Sequence, residues 1–359
     1  MIKLFRTFIM KINRTTNNFD FLRLLFSLTV AVGHAEILSG ISMVSNVSQY
    51  LNSEVAVDSF FVISGFLIFM SFESSQSIIN YINKRIRRIF PGYITVILLS
   101  SILLSFISSN TFYEYFNIEF IKYVLFNILT LNFLHPGLPG VFENNYMSAI
   151  NGALWTIKIE VMFYILVPFI SIIISKYRSH KLLILISIYM LSVIYSLVML
   201  WLYSREQMDI FITLEKQIPG QLAFFISGGI IYYFYDYFYN RSSLLLILAI
   251  AIIFIHKDIT DLYILYPAAL SIIVIYLATI FKYIGNWGRF GDLSFGVYIW
   301  HFPIIQVFIY CNLFSNPIMG SIILFITILT AAYFSWHLVE KRFLYRSSHY
   351  ITSEKERND

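Results

Sequence analysis

The sequence predicts an all-α integral membrane protein, with a bundle of about ten transmembrane helices, one re-entrant or interfacial segment and both termini in the cytoplasm. Of the 359 residues, 58% are hydrophobic and 13% are charged, whereas soluble domains carry about 25% charged residues. Eleven apolar segments follow one another along the chain, and a spanning helix needs roughly 20 such residues. These observations exclude a sizeable soluble domain, and they assign the net charge of +5 to cytoplasmic loops rather than to nucleic-acid binding.

The eleven segments take their orientation from the charge of the loops between them, because Lys and Arg concentrate on the cytoplasmic side. They cover residues 18–39, 55–73, 89–108, 120–134, 153–175, 182–203, 220–238, 243–256, 261–281, 291–312 and 317–338. The chain starts with a basic stretch, so we place its N-terminus inside the cell. The loop 40–54 has no Lys or Arg and is placed outside, and the basic run 84–88 returns to the inside.

Segment 120–134 is short, and loop charge decides whether it crosses the bilayer. If it crossed, the later loop with Lys176, Arg178 and Lys181 would lie outside, against the positive-inside rule. If it does not cross, every later basic loop lies inside. We therefore predict ten spans and a re-entrant or interfacial segment 120–134, and the short segment 243–256 then has to span.

The chain divides into three predicted regions. Residues 1–17 form a basic interfacial N-terminus, residues 18–343 form the transmembrane domain, and residues 344–359 form a polar cytoplasmic tail.

Arg23 and His34 are costly residues for the first segment, since each ionisable group at mid-bilayer costs about 2.5 kcal/mol or more. They lie eleven residues apart, close to three helical turns, so they share one helix face about 16 Å apart. A neutral His34 could act as a general base, or it could be a core histidine that a neighbouring helix satisfies. Arg23 could face an anionic ligand from the cytosol, or it could snorkel to the interface.

Five further candidates lie on the second segment and on segment 153–175. Asp58 falls near the outer end of the second segment, and Ser64 lies deeper, where Ser-Gly more often serves close helix packing. Glu160 lies below Trp155 near the outer leaflet, at a depth similar to that expected for His34, so we expect it to join a shared site. Tyr164 follows one turn later.

A basic cluster precedes the third segment. Arg85 and Arg88 share a helix face and could bind phosphates together with Arg87, although a positive-inside anchor would also explain them. Pro91 is expected in the first turn of the helix that follows.

Tyr298 and His301 lie three residues apart in segment 291–312 and should face the same way. They could pack in the core or line a substrate pocket. Asp292 and Ser294 open the same segment and receive no role. No spacing in the chain matches a metal site, a phosphate-binding loop or a dinucleotide fingerprint.

In order along the chain, these segments resemble the acyltransferase-3 family of integral-membrane acyltransferases. The matching pieces are Arg23-x10-His34, VDSFFVISGFLI, KRIRRIFPGY, ALWTIKIEVMFYIL, GDLSFGVYIWHFP and LVEKRF. The family often has Ser where this chain has Thr156. The resemblance implies a ten-helix bundle that moves an acyl group, usually acetyl, from cytosolic acyl-CoA to a carbohydrate on the far side.

On this basis we expect a membrane O-acyltransferase of the bacterial cytoplasmic membrane, with acetyl-CoA or another acyl-CoA as co-substrate and no permanently bound cofactor. Its acceptor would be a sugar hydroxyl of a lipid-linked O-antigen, capsule or exopolysaccharide unit. His34 is expected to be catalytic, either by removing the proton of the sugar hydroxyl or by first accepting the acyl group itself. Glu160 would orient His34 or stabilise its imidazolium, and Arg23, Arg85, Arg87 and Arg88 would bind CoA. The substrate-binding candidates are Asp58, Ser64, Trp155, Tyr164, Tyr298 and His301. A transporter or glycan exporter, with the intramembrane charges along its path, is the alternative.

Overall fold

The computed structural model describes residues 16–41, 51–256, 260–346 and 348–358, and all of the regular structure in these ranges is helical. Residues 1–15 of the predicted basic N-terminus and residues 42–50 of the loop 40–54 lie outside the described residues. In chain order the α-helices are α1 Phe19–Ser39, α2 Ser53–Glu73, α3 Ile78–Leu103, α4 Phe112–Tyr115, α5 Ile118–Ile128, α6 Trp155–Lys176, α7 Lys181–Glu206, α8 Asp209–Glu215, α9 Ile218–Tyr233, α10 Tyr235–Asn240, α11 Ser242–His256, α12 Tyr266–Thr279, α13 Leu293–Tyr310, α14 Pro317–Phe334, α15 Lys341–Phe343 and α16 His349–Asn358.

Eight helical stretches within the described ranges are long and apolar enough to cross a membrane. Two other predicted spans correspond to α9 and α11, which have 16 and 15 residues. The all-helical membrane class is therefore confirmed, whereas the total of ten spans and the cytoplasmic termini stay predictions. The eight stretches are Phe19–Ser39, Ser53–Glu73, Ile78–Ile107, Gly152–Lys176, Arg178–Glu206, Leu262–Thr279, Leu293–Tyr310 and Pro317–Phe343.

The segment predicted not to span forms α5, which has 11 residues. At 1.5 Å per residue this helix covers about 16 Å, roughly half of the hydrocarbon core of a bilayer. One helix of this length cannot cross a membrane alone, and its re-entrant or interfacial position stays a prediction.

The expectation that Pro91 stands in the first turn of a helix is wrong. Helix α3 begins at Ile78, so Pro91 lies inside it and the basic run 84–88 is helical. Apolar composition marks only the part of a helix that suits lipid. It does not mark where the helix starts, and Lys and Arg are good helix formers.

The chain forms two compact units. The first unit contains the described parts of 1–19, 57–82 and 159–285, and the second contains the described parts of 20–56, 83–158 and 286–359.

Glycines set the packing of α2 against α9 in the first unit. A Cβ atom added to Gly65 would lie 1.8 Å from the Phe225 carbonyl oxygen, and one added to Gly228 would lie 2.1 Å from that of Val62. Only hydrogen at these positions lets the two backbones approach so closely, as small residues do in membrane helices. Gly65 therefore serves close helix packing, and the substrate-binding role of Ser64 stays a prediction.

A proline inside α6 is also accommodated within the first unit. Pro168 has no N–H to offer the Tyr164 carbonyl one turn earlier. The buried Tyr81 hydroxyl donates a hydrogen bond to that carbonyl instead, at 3.1 Å. A side chain from another helix thus replaces the missing backbone donor, as membrane helices require.

Helices α1 and α13 run side by side in the same direction in the second unit. Arg23 of α1 pairs with Asp292, directly before α13. Eleven residues later along α1, His34 contacts His301 of α13. The Arg23 end of α1 thus lies beside the Asp292 end of α13, and the two histidines lie together further along both helices. The predicted orientations of the two segments require this parallel arrangement.

Candidate active site

Two histidines from the parallel helices α1 and α13 form the first polar cluster of the second unit. Nδ1 of His34 lies 2.8 Å from Nε2 of His301. The imidazole rings are stacked, with centroids 5.1 Å apart and planes at 8°, and the Phe302 ring meets His34 edge-on at 5.3 Å. His34 is half-buried, while His301 is fully buried. The structure thus gives His34 a defined partner 267 residues away in the chain.

His301 is itself held by its own helix and by neighbouring aromatic rings. Its Nδ1 lies 3.1 Å from the Val297 carbonyl oxygen. The Tyr298 ring is 5.8 Å away between centroids, and the Tyr298 hydroxyl lies 2.6 Å from the Thr156 hydroxyl. Tyr298 and His301 therefore share one side of α13, as their spacing predicts, and the start of α6 lies beside them.

The loop between α5 and α6 is bonded to α13 at the level of the histidines. Pro303 cannot donate to the Ile299 carbonyl, and Asn151 Nδ2 donates to it at 2.8 Å. The Gln306 side chain donates to the carbonyls of Met147 and Ala149 at 2.5 and 2.8 Å. These bonds satisfy buried groups and fix the loop as one wall beside His301.

A buried acid and two arginines form the second polar cluster at the start of α13. Asp292, whose side chain is 2% exposed, forms an ion pair with Arg88 of α3 and lies 3.8 Å from Arg23 of α1. Its other carboxylate oxygen accepts a 2.5 Å hydrogen bond from Ser294. Sequence reasoning gave Asp292 no role. Its position beside a basic loop was the one available signal, since an acid there needs a cationic partner.

The C-terminal helix α16 covers this second cluster. Arg23 donates a 2.8 Å hydrogen bond to the Tyr350 hydroxyl, and the Arg88 guanidinium lies 4.9 Å from the centre of the Tyr350 ring. His349 contacts Asp20 at 2.8 Å. Burial raises the pKa of the Tyr350 phenol, so this partner of Arg23 keeps its proton and is neutral. The predicted polar tail 344–359 therefore includes residues that pack on the arginines.

The remaining arginine candidates differ in their surroundings. Arg87 is exposed, and it donates to the Phe343 carbonyl at 3.3 Å and lies 4.5 Å from the centre of the Tyr345 ring. Arg85 is half-buried one turn before Arg88 on α3. Arg87 thus contacts neutral groups, whereas Arg23 and Arg88 contact an acid.

Four of the predicted site residues belong to the first unit. The Tyr164 hydroxyl donates a 2.5 Å hydrogen bond to the Glu160 carboxylate, one turn earlier on α6. Asp58 and Ser64 are half-buried on α2. Trp155, which belongs to the second unit, is half-buried at the first residue of α6. The structure therefore groups Glu160 with Tyr164, and it groups His34 with His301 and Tyr298.

Comparison with known proteins identifies the family of this chain. The acyltransferase-3 family model, described as "Acyltransferase domain", matches residues 16–337. The chain is 30% identical to the O-acetyl transferase of Shigella phage Sf6 over 93% of this chain and 97% of that protein. It is 32% identical to Nodulation protein 10 of Rhizobium leguminosarum bv. viciae, over 42% of this chain and 43% of that protein. No solved structure matches the chain.

Proposed function

This chain belongs to the acyltransferase-3 family and is an acyltransferase, and we propose that it moves an acetyl group from cytosolic acetyl-CoA to a sugar hydroxyl of a cell-surface glycan. The observation that carries the proposal is helix α1, which links an arginine cluster at Arg23 to a histidine pair at His34. The two groups lie about 16 Å apart along the helix. An extended thioester donor needs both a cationic group for its phosphates and a base at its acyl end.

The donor is bound by guanidinium groups, which form strong, geometrically specific hydrogen bonds with phosphate oxygens. Arg87 is the most accessible of the candidates, and its contacts with a carbonyl and a ring leave its charge available to an incoming phosphate. Arg85 and Arg88, on the same helix, and Arg23 extend this cationic surface. Loop charge puts the surface on the cytoplasmic side, where acyl-CoA is found.

His34 acts as the general base on the acceptor. It removes the proton of the sugar hydroxyl while the hydroxyl oxygen attacks the thioester carbonyl. A carbon–oxygen bond forms to the sugar, and the carbon–sulfur bond of the thioester breaks. The departing thiolate takes the proton back from the imidazolium, so histidine ends the cycle neutral. Glu160, whose carboxylate accepts a hydrogen bond from Tyr164, stays a catalytic candidate on sequence grounds alone.

The acceptor is a lipid-linked unit of an O-antigen, capsule or exopolysaccharide in the bacterial cytoplasmic membrane. Tyr298 and Trp155, in the second unit, offer aromatic surface for a sugar ring. Asp58 and Ser64 stay substrate-binding candidates on sequence grounds alone. The relative in Shigella phage Sf6 is an O-acetyl transferase, which supports transfer of acetyl to oxygen.

Acetylation of the host's surface glycan tests this proposal in cells. We expect His34→Ala, expressed at the wild-type level, to abolish glycan acetylation. His180→Ala, which changes an exposed histidine of the short 3-10 turn Arg178–His180, is the matched control and should leave acetylation intact. Acetylation that persists in the His34→Ala strain would remove His34 from the mechanism.

A further inference from the structure

We propose that His301 is a positioning residue that fixes which ring nitrogen of His34 carries the proton, leaving Nε2 of His34 as the basic atom. The inference rests on the proposed function of His34 and assigns a task to a residue that the sequence places only in the core or in a pocket wall. It follows from two contacts of His301, one at each ring nitrogen.

The first contact determines the proton on Nδ1 of His301. A backbone carbonyl can only accept a hydrogen bond. Nδ1 of His301 lies 3.1 Å from the Val297 carbonyl oxygen, so this nitrogen must carry a hydrogen to make the bond. In a neutral imidazole the other nitrogen is then an acceptor.

Burial keeps His301 neutral. Its side chain has no exposed surface, and the charged form of a histidine is strongly disfavoured when it is removed from water. The groups that contact its ring are an imidazole, a carbonyl and aromatic rings. Nε2 of His301 therefore accepts a hydrogen bond rather than donating one.

The second contact, at Nε2 of His301, determines which ring nitrogen of His34 carries the proton. Since Nε2 of His301 accepts, Nδ1 of His34 must donate across the 2.8 Å between them. The neutral His34 ring then has its lone pair on Nε2, on the side turned away from His301. When Nε2 takes a proton from the acceptor hydroxyl, the Nδ1–H bond to His301 becomes charge-assisted and strengthens.

The surroundings of His301 favour a fixed geometry. Asn151 donates a hydrogen bond to the Ile299 carbonyl, which Pro303 leaves without a helical donor. The Tyr298 and Thr156 hydroxyls are hydrogen-bonded to each other at 2.6 Å. A base gains from an orienting partner only if that partner keeps its own position. A carboxylate often has this task beside a catalytic histidine, and here a buried neutral imidazole has it.

Nitrogen NMR on full-length protein in lipid nanodiscs tests the assignment directly. With [15N]histidine labelling, protonated and unprotonated ring nitrogens are distinguished, and the His34 signals are those that disappear in His34→Gln. We expect wild-type His34 to be protonated on Nδ1 and unprotonated on Nε2. In His301→Leu the proton should shift largely to Nε2, whereas His301→Gln, whose amide oxygen can accept, should keep it on Nδ1. His337→Leu is the control for removal of another histidine.

Kinetics with labelled acetyl-CoA and a lipid extract of the native host provide the second readout. His301→Leu should lower kcat by about 100-fold or more, since a histidine in the wrong tautomer is a poor base, with the KM for acetyl-CoA unchanged. His301→Gln should recover at least a tenth of the wild-type kcat.

Two outcomes would overturn the inference. One is a His34 tautomer that is the same in His301→Leu as in the wild type. The other is a His301→Leu enzyme with wild-type kcat and a raised KM for the acceptor, which is the behaviour of a pocket wall. If the wild-type protein transfers no label, the proposed function fails, and the NMR result still decides the tautomer.

Discussion

At the residue scale, the arginines of the cationic surface divide according to the groups that they contact. Arg88 pairs with the buried Asp292, which Arg23 also approaches. Arg87 contacts a carbonyl oxygen and an aromatic ring. An arginine that is paired with a buried acid has a structural role in addition to any role in donor binding, and removing one partner of such a pair costs about 3–5 kcal/mol. A charge with neutral partners is available to a ligand.

This division predicts different defects for two substitutions of the same chemistry on one helix. Arg87→Gln should raise the KM for acetyl-CoA about tenfold and leave thermal stability unchanged, because it removes one phosphate contact. Arg88→Gln should lower the stability of the protein by several kcal/mol, because it leaves Asp292 buried and uncompensated. Thermal unfolding in detergent and donor titrations measure the two effects. Equal stability of both variants would refute the division.

Sequence alone identifies some residues of the candidate site and misses others, as His34 and Asp292 show. His34 is identifiable because an ionisable residue inside an apolar segment is costly. Its partner is not, because His301 is 267 residues distant and nothing in the spacing of either helix indicates the other. Asp292 is overlooked for a related reason. It lies next to the apolar segment, where an acid passes for a loop residue, and only packing reveals that it is buried beside Arg88.

At the element scale, α13 depends on the loop that precedes α6. Pro303 leaves the Ile299 carbonyl without its helical donor, and Asn151 supplies one. An unsatisfied buried carbonyl costs about 1–3 kcal/mol. The loop therefore contributes to the stability of the helix that carries His301.

Asn151→Leu should accordingly destabilise the protein by about 1–3 kcal/mol and reduce acyl transfer, because it removes the donor and loosens the wall beside His301. Asn144→Leu makes the same change at an exposed position of the same loop and should be neutral. Thermal unfolding of both variants measures the difference. A melting temperature of Asn151→Leu equal to that of Asn144→Leu would show that the Asn151 bond contributes nothing.

The close approach of α2 to α9 predicts that a larger residue at Gly65 destabilises the protein. Gly65→Ala places a methyl group against the Phe225 backbone, so the helices must separate, at a cost of about 1–3 kcal/mol. Gly137→Ala is the control, since the added carbon would lie at an ordinary 3.4 Å from the Ser148 carbonyl oxygen. Both are compared by unfolding in detergent. A fully stable Gly65→Ala protein would mean that these backbones have room to move.

The elements themselves were predictable to different degrees. Apolar composition located the eight long apolar helices of the described ranges, because it reports compatibility with lipid. It misplaced the start of α3, where a basic stretch without lipid character is nevertheless helical from Ile78. It could not identify Asn151 or Tyr81 as donors to proline-freed carbonyls, because each acts on a helix distant in the chain.

At the scale of the whole molecule, the family match runs from residue 16 to residue 337, and the parallel pair of α1 and α13 gives that stretch a direction. The arginine and aspartate ends of the two helices meet at one level, and the histidine ends meet at another. Loop charge predicts that the first level lies on the cytoplasmic side. Under the proposed function, the donor's phosphates and the reacting carbonyl would then lie at opposite ends of this helix pair. Sequence reasoning proposed this polarity from α1 alone, and it stays a prediction; the structure adds the contacts of α1 with Asp292 and with His301 of α13.

Acetyl transfer by purified protein tests this account most directly. Wild-type protein and His34→Gln are reconstituted in vesicles with labelled acetyl-CoA and a lipid extract of the native host, and label in the glycolipid fraction is measured over time. We predict time-dependent acetylation by the wild type. We predict a rate lower by a factor of about 10²–10⁴ for His34→Gln, with acetyl-CoA binding preserved. Transfer by His34→Gln at the wild-type rate would contradict the account.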